Sequence, residues 1–471
     1  NNENRIVFST AFVAAAKKTA LYFASSTGAA LFPLVPNVLL ENQIPSSVKY
    51  KPSPQTGVVP VRTLQEPLLL QADDEERFGH YKSLVREAFA RNESVYFCVP
   101  TQERITRTLT ALEKGIRTYT YALHSGLSKK EILSRSEKLL KEKHPVLIVG
   151  TGLFLSLPRP DVKTIILDRE NSGVYKLQKK PYIDIRVFAE YFSQAQGARL
   201  ILGDVFLRVE TLFKKEQGYA QDFVPLTWRP LTRATTCLID MKSRKEGTRG
   251  DGAILFSGEL NGLLRKTREE NQHMFLFTAR RGLSPTTLCN DCGTSVLCNV
   301  CSAPLVLHRG EAGVYYLCHR CGKREGAERL CRHCGSWKLT TLGIGIERVE
   351  KTPSESFPDI KVWKIDGDSV KTHARAQEIY NRFEQSPGGV LLGTEMAVAY
   401  LNKKVESSAV VSLDSLLALP DWRIGEKIFN LLLRLRSYTE KEFLLQSRSE
   451  DMNILEWALR GNALDFYRNE L

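Results

Sequence analysis

Short apolar runs alternate with amphipathic segments between about residues 67 and 212 of this 471-residue chain. The runs have the length of buried strands, and they are Leu68–Leu70, Val95–Val99, Val146–Val149, Thr164–Leu167 and Leu200–Leu202. Helices are predicted between them at Gly79–Ala90 and Lys129–Glu142. Because strands and helices alternate, the pattern predicts a parallel α/β sheet.

A second alternating region follows a cysteine-rich stretch and predicts a second α/β unit. Its strands are predicted at Val362–Ile365, Val390–Leu392 and Ala409–Leu413, and its helices at Trp422–Arg436 and Asn453–Leu471. Near the N-terminus the segment Gln43–Gln65 contains four prolines together with Ser, Thr and Gly, a composition that indicates a linker. Two α/β halves around a cysteine-rich insertion are therefore expected.

The charge of the chain favours a polyanionic partner without deciding the matter. Lys and Arg number 66 against 53 Asp and Glu, a formal net charge of +13, which suits nucleic acid. The 42% hydrophobic and 25% charged composition is typical of a soluble globular protein. No stretch of 18 apolar residues occurs, so we expect no membrane partner.

Eight of the ten cysteines form four CxxC pairs. The pairs are Cys289 with Cys292, Cys298 with Cys301, Cys318 with Cys321, and Cys331 with Cys334. Since zinc takes four thiolates in a structural site, the spacing predicts two closed zinc sites. An iron–sulfur protein or a thiol relay is the alternative.

The other potential ligands and thiols receive plainer interpretations. His308, His319 and His333 lie in the insertion but are surplus to a complete thiolate set. Cys98 and Cys237 stand alone in apolar surroundings and are expected to be inert core thiols. From Arg280 to Thr341 nine Lys and Arg face four Asp and Glu, so the insertion could offer a DNA surface or a protein-docking module.

Several motifs outside the cysteines resemble the PriA family of replication-restart helicases. The resemblance covers about residue 20 to the end, and its motifs are Leu123–Ser128, Val149–Gly152, Ile165–Asp168, Tyr175–Lys176, Ala279–Gly282, Leu342–Glu350, Gly393–Met396 and Leu419–Arg423. It implies an α/β fold of two RecA-like helicase lobes with parallel sheets. A two-zinc cysteine-rich insertion in the second lobe and a short N-terminal winged-helix-like remnant complete the expected fold.

The resemblance also implies boundaries and ligand sets. The expected parts are 1–66 (remnant and Pro-rich linker), 67–215 (degenerate lobe 1), 216–284 (start of lobe 2), 285–341 (two-zinc insertion), 342–447 (lobe 2) and 448–471 (C-terminal helical segment). The family's N-terminal DNA 3′-end-binding domain and its C-terminal domain are expected to be absent. The outer cysteines Cys289, Cys292, Cys331 and Cys334 would share one zinc, and the inner Cys298, Cys301, Cys318 and Cys321 the other.

The ATP-hydrolysing motifs depart from the family pattern. Asp73–Glu76 are four consecutive carboxylates where a P-loop would cradle phosphate, and no lysine follows them where a P-loop would need one. Asp168-Arg169-Glu170-Asn171 replaces Asp-Glu-Glu-His, which leaves Asp168 as a vestigial Mg²⁺ ligand. Asp204-Val205-Phe206 replaces Ser-Ala-Thr, and Arg434–Lys441 lacks the arginine fingers, with Tyr438 and Lys441 in their places. We therefore expect no hydrolysis of ATP·Mg²⁺.

DNA is the expected partner, in branched or forked form, with primosome or single-strand-binding proteins as further candidates in the cytoplasm at the nucleoid. Candidate DNA contacts, some of them in an aromatic-rich loop, are Arg280, Arg281, Tyr175, Lys176, Lys179, Lys180 and Arg186. The main hypothesis is a non-hydrolysing DNA or primosome scaffold. An active ATP-dependent 3′-5′ DNA helicase with an unorthodox nucleotide site and a zinc-ribbon protein-interaction module are the alternatives.

Overall fold

A computed structural model describes most of the chain. The described residues are 8–41, 66–242, 255–279, 286–289, 291–292, 294–310, 313–326, 328–342, 349–353, 357–367, 369–417, 421–449 and 452–471. The chain divides into two compact units, Asn1–Thr227 with Leu471, and Trp228–Glu470. Each unit is described below by itself.

The first unit is built on a seven-stranded parallel sheet with the order β3-β4-β2-β5-β6-β1-β7. The strands are β1 (Leu68–Gln71), β2 (Ser94–Cys98), β3 (Thr120–Leu123), β4 (Leu147–Gly150), β5 (Val162–Asp168), β6 (Arg199–Asp204) and β7 (Gln221–Asp222). All five strand predictions for this region are confirmed, and β3 and β7 are additional. The central strands are buried on both faces, as a parallel sheet covered by helices requires.

Helices connect and cover this sheet. They are α1 (Thr10–Tyr22), α2 (Thr27–Leu31), α3 (Asn37–Glu41), α4 (Asp74–Ala90), α5 (Glu103–Leu112), α6 (Lys129–Lys141), α7 (Ile185–Gln196) and α8 (Val209–Glu216). Short 3₁₀ turns occur at Phe32–Leu34, Arg117–Tyr119, Gly152–Ser156 and Gly173–Tyr175. Helix α4 begins earlier than predicted because Asp73 caps it, accepting a hydrogen bond from the Glu76 amide at 2.9 Å.

The N-terminal helices pack as a layer of the first unit. Phe12 of α1 is fully buried and lies against Phe188 and Phe192 of α7, with ring centroids 5.1 and 6.1 Å apart. Within residues 8–41, the described part of the winged-helix-like remnant, the structure contains helices and no strand. The buried apolar residues of α1 are thus packed against α7.

The second unit contains a six-stranded parallel sheet with the order β15-β16-β9-β17-β18-β8. The strands are β8 (Thr235–Asp240), β9 (Met274–Phe277), β15 (Val362–Ile365), β16 (Val390–Gly393), β17 (Val405–Val410) and β18 (Thr439–Ser447). Its helices are α9 (Gly258–Glu269), His373–Glu384, Glu395–Val398, Asp414–Leu417, Ile424–Ser437, Asn453–Arg460 and Ala463–Glu470.

Two sequence predictions for this unit need correction. The terminal helix is divided in two because Gly461 adopts a left-handed conformation, with φ 67°, and ends the first half. Cys237 is exposed, since β8 is an edge strand with a neighbour on one side only. Cys98, by contrast, is buried in β2, and burial raises the pKa of its thiol to about 12, as an inert core thiol requires.

The cysteine-rich insertion lies between β9 and β15, within the second unit. Strands β10 (Thr286–Cys289) and β14 (Leu339–Leu342) pair antiparallel at its base. Strands β11 (Val306–Gly310), β12 (Gly313–Leu317) and β13 (Arg324–Gly326) form a second antiparallel sheet. Among the residues that the structure describes there is no helix long and apolar enough to cross a membrane.

Candidate metal centres and the charged crevice

The eight cysteines of the insertion meet in two groups of four. Within each group every sulfur lies within 4.8 Å of the others, and the groups are Cys289, Cys292, Cys331, Cys334 and Cys298, Cys301, Cys318, Cys321. In the first group the Cys289 and Cys334 sulfurs are 3.4 Å apart. In the second, Cys301 and Cys318 are 3.4 Å apart. These are the two sets that the resemblance implied.

Tight turns of the same kind close two of the four CxxC pairs. Gly322 and Gly335 follow the second cysteine of their pairs and have φ 75° and 71°. Their amides donate to the Cys318 and Cys331 carbonyls, at 2.9 and 2.8 Å. Glycine reaches this left-handed conformation at no steric cost, so the turns are specified by the sequence.

The donor sets fit a four-coordinate soft metal. Sulfur separations of 3.4–3.6 Å are too long for a disulfide bond of about 2.05 Å. They are close to the edge of a thiolate tetrahedron around an ion with metal–sulfur bonds of about 2.3 Å. His308 and His319 contact each other, with their Nε2 atoms 2.8 Å apart, and belong to neither group. Four thiolates leave no open position, so each group would hold structure and not catalyse.

In the first unit, the crevice at the carboxyl ends of β1 and β5 is filled by charged side chains. Only Ala72 and Asp73 separate β1 from α4, so the long glycine-rich turn of a phosphate-binding loop has no counterpart here. The carboxylate of Asp74, in the first turn of α4, is the centre of this cluster. Four guanidinium groups surround it, from Arg77 at 2.7 Å, Arg169 at 2.8 Å, Arg107 at 2.9 Å and Arg104 at 3.4 Å. These four are called the arginine cluster below.

Asp168, at the end of β5, is also committed to protein partners. Its Oδ1 accepts from Arg77 Nε at 2.8 Å and from the Tyr81 hydroxyl at 3.1 Å, and the side chain is fully buried. Burial opposes its ionisation, but Arg77, Arg104 and Arg169 outweigh burial and lower the pKa. Because Mg²⁺ keeps several of its waters, it needs an accessible carboxylate. The interpretation of Asp168 as a vestigial Mg²⁺ ligand is corrected: the carboxylate is a structural partner of Arg77.

The neighbouring acidic groups are held in the same way. Glu170 accepts from Arg208 Nε and from the Thr211 hydroxyl, both at 2.7 Å. Burial opposes its ionisation, yet Arg208 and Arg186 lower its pKa. Asp204 accepts from the Asn171 and Val205 amides at 3.0 and 2.8 Å. The carboxylates in the places of the hydrolytic motifs therefore have internal partners.

The predicted DNA contacts in and beside the loop after β5 are of two kinds, exposed and buried. Lys176, Lys179 and Lys180 are exposed, as a phosphate contact requires. Tyr175 is buried, and its hydroxyl donates to the Asp168 carbonyl at 2.7 Å and to the Cys98 carbonyl at 3.2 Å. Arg186 is buried, and its guanidinium group donates two hydrogen bonds of 2.7 Å to the Asp184 carboxylate. Neither can reach DNA, so both are corrected to residues that fix the loop.

One expectation cannot be placed in the structure, and one feature of the structure was not expected. Arg280 and Arg281, the candidate phosphate contacts before the insertion, lie outside the described residues. The arginine cluster was missed, although one signal was present: Asp74, Arg77 and Tyr81 follow at helical spacing and so share one face of α4. The partners from α5 and from the turn after β5 come from distant positions, and no local pattern indicates them.

No family model matches the chain. It is 26% identical over 388 residues to the replication restart protein PriA of Treponema pallidum, which covers 81% of this chain and 57% of that protein. It is 26% identical over 355 residues to PriA of Bacillus subtilis, covering 75% and 43%. Among solved structures, Dbp5 of S. cerevisiae bound to RNA and ADP BeF3 has 11% identity and a TM-score of 0.48, covering 85% and 84%.

The two parallel-sheet units, with an eight-cysteine insertion in the second, have the fold that the resemblance implied: two lobes like those of RecA-like helicases. The resemblance to the PriA family is confirmed: the chain is similar in sequence to several PriA replication restart proteins. The chain spans about half the length of the curated relatives it matches.

Proposed function

We propose that the chain is a PriA-like, DNA-binding protein of replication restart that does not hydrolyse ATP. It would act as a scaffold for branched or forked DNA, with primosome or single-strand-binding proteins as further partners, in the cytoplasm at the nucleoid. The similarity to replication restart proteins over four fifths of the chain supports the DNA function.

The arginine cluster closed around Asp74 is the observation that carries the loss of hydrolysis. A nucleotide phosphate would have to displace a carboxylate that already has four guanidinium partners. The second unit supports the same proposal, because Arg436 is buried and donates to the carbonyls of Leu459 and Pro230. Tyr438, in the place of an arginine finger, is buried too.

Two zinc ions are the proposed cofactors, one in each group of four cysteines. The ions would neutralise the cysteine thiolates and cross-link them. Through its cysteines each ion would hold CxxC turns together beside the paired strands β10 and β14. Since the sites are closed, the role of the metal in this proposal is to stabilise the insertion.

The DNA surface is assigned to Lys176, Lys179 and Lys180, with Arg280 and Arg281 as further candidates. Three exposed lysines on one loop, with Tyr182 47% exposed beside them, combine phosphate contact with an aromatic face. The loop is held by the buried contacts of Tyr175 and Arg186, so it is presented in a fixed conformation.

ATP turnover measured beside fork-DNA binding tests this proposal. We expect fork binding at low salt and no DNA-stimulated ATP turnover. A stimulated turnover on the order of 1 s⁻¹ or faster would favour the active 3′-5′ helicase instead. Absence of fork binding at low salt would mean that the proposed scaffold binds protein partners alone.

A second candidate function, a protein-interaction module, is favoured by one feature of the insertion. Val300, Leu330 and Trp337 are 66%, 55% and 75% exposed, and each lies within or beside a CxxC pair. Tryptophan is enriched in protein-binding hot spots. Binding of a purified primosome or single-strand-binding protein, abolished in Trp337→Ala while fork binding persists, would support this candidate.

A further inference from the structure

The arginine cluster is assembled from three separate elements of the first unit. Arg77 comes from α4, Arg104 and Arg107 come from α5, and Arg169 lies in the turn after β5 with φ 59°. Three of the four guanidinium side chains are nearly inaccessible, and Arg107 is 24% exposed. Elements that are distant in the sequence therefore place four positive charges around one point.

The point that they surround is the natural place for an anion. It lies beside the first turn of α4, whose 17 residues give the N-terminus a partial positive charge. It also lies outside the carboxyl ends of β1 and β5, the edge where open parallel sheets bind ligands. Guanidinium groups bind carboxylate and phosphate by the same fork geometry.

The ion pairs of the cluster show that an anion is stabilised at this point. Asp168 pairs with Arg77 at 2.8 Å and with Arg104 at 3.9 Å, whereas the Asp74 carboxylate lies within 3.4 Å of all four guanidinium groups. Burial opposes ionisation of Asp74, but Arg169, Arg77, Arg104 and Arg107 hold its pKa well below the ordinary value. Asp74 is 19% exposed, so the point that it occupies can be reached from solvent.

We propose that the arginine cluster is an anion-binding site of the phosphate class whose ligand is supplied by the chain itself. Asp74 occupies the place of the phosphate and thereby excludes it. The inference deepens the proposed loss of ATP hydrolysis and rests on that interpretation of the crevice. Its test measures binding of inorganic phosphate and not turnover, so the two can fail separately.

The test replaces the carboxylate by an amide of the same shape. In Asp74→Asn the cluster keeps its arginines and Asp168 but loses the carboxylate at its centre. We expect inorganic phosphate or pyrophosphate to raise the Tm of this variant by about 4 °C or more over chloride at equal ionic strength. The wild-type Tm should rise only by the general stabilisation that phosphate gives as an excluded anion, so the shift of the variant is taken relative to the wild type. Isothermal titration should detect phosphate binding by the variant only.

Matched variants separate this effect from a change in net charge. Asp73→Asn removes a neighbouring exposed carboxylate outside the cluster and keeps the helix cap, so it should gain no phosphate response. Asp74→Glu keeps a carboxylate and should continue to exclude phosphate. Adding Arg107→Gln to Asp74→Asn should weaken the acquired binding several-fold.

Two results would overturn the proposal. One is an Asp74→Asn variant that folds and shows no phosphate binding or Tm shift. The other is a wild-type protein that binds phosphate as well as the variant does. If Asp74→Asn folds poorly in chloride, refolding in phosphate decides the question: phosphate-dependent recovery supports the site, and equal failure in both salts refutes it.

Discussion

The cysteine-rich insertion and the crevice of the first unit are both clusters of ionisable side chains. They differ in where the counter-charge for those side chains comes from. The insertion brings eight thiols together with sulfur neighbours at 3.4–3.6 Å. The crevice pairs the carboxylates at its centre with arginines, as in Asp74 with Arg169 and Asp168 with Arg77. One cluster is a ligand set for an added cation, and the other contains its own ions.

This difference decides which cluster can respond to an added ligand. Thiolates without a counter-ion repel one another, so the insertion should depend on metal for its stability. A carboxylate with guanidinium partners is already stabilised, so the crevice should be indifferent to nucleotide. In the proposed function, the same family resemblance thus covers one site that retains its requirement for a ligand and one that has lost it.

Metal removal should give the largest effect. Chelation of both ions should unfold the insertion, because structural zinc contributes on the order of 10–16 kcal/mol of apparent binding free energy at pH 7. Cys298→Ser should remove about one ion from a count of two per chain, measured by elemental analysis. Cys98→Ser and Cys237→Ser are the matched controls and should leave the count unchanged. Iron in place of zinc, or one zinc in the wild type, would contradict the assignment.

Loss of one crevice arginine should give the next largest effect. Arg77→Ala leaves Asp168 fully buried without its principal partner, and removal of one member of a buried pair costs about 3–5 kcal/mol. Urea unfolding followed by circular dichroism measures the change. Arg91→Ala, which removes an exposed arginine paired with Glu87 at the end of the same helix, is the control and should cost under about 1 kcal/mol. Equal costs for the two variants would show that the crevice pairs contribute no more than surface pairs.

The sequence predicted five of the seven strands of the first sheet, three of the six of the second and the cysteine sets, because those features are local or resemble a known pattern. Apolar runs of strand length need only their own residues, and CxxC spacing needs only a turn. The arginine cluster was not predicted, since Arg104, Arg107 and Arg169 reach Asp74 only after the sheet has formed. Likewise, Tyr175 and Arg186 resemble nucleic-acid-binding residues in sequence, and only tertiary burial reveals their internal partners.

Acid should affect the two units in opposite directions. The pKa values of Asp74 and Asp168 are lowered by arginines against the effect of burial, so their stabilisation is complete above about pH 4 and is lost as the pH falls further. In the second unit, burial raises the pKa of Asp414, so ionisation of that group weakens folding as the pH rises through the folded pKa. Below about pH 4 we therefore expect the sheet of the first unit to unfold before the sheet of the second, whereas the cysteine-rich insertion should lose its metal as its thiolates are protonated.

Tryptophan fluorescence can follow the two units separately. All five tryptophans lie at or after Trp228, so their emission reports on the second unit alone, whereas circular dichroism reports on both. A Trp337→Phe background removes the tryptophan of the cysteine-rich insertion from the signal. Circular dichroism should then change at a higher pH than emission does. Coincident transitions would show that the ion pairs of the crevice do not determine the pH at which the first unit unfolds.

The smallest expected effect concerns the DNA surface, where charge is neither buried nor paired within a cluster. Replacing Lys176, Lys179 and Lys180 by alanine should weaken fork binding uniformly across sequences. It should also flatten the slope of log affinity against log salt by about 0.9 for each DNA phosphate that the loop no longer neutralises.

Lys130→Ala, Lys138→Ala and Lys141→Ala together remove the same charge from exposed positions of α6 in the same unit. This control should leave the slope nearly unchanged, because charges more than about 10 Å from the DNA are screened at 0.1 M salt. Equal slopes in the two triple variants would assign fork binding to net charge and remove the loop from the proposed surface.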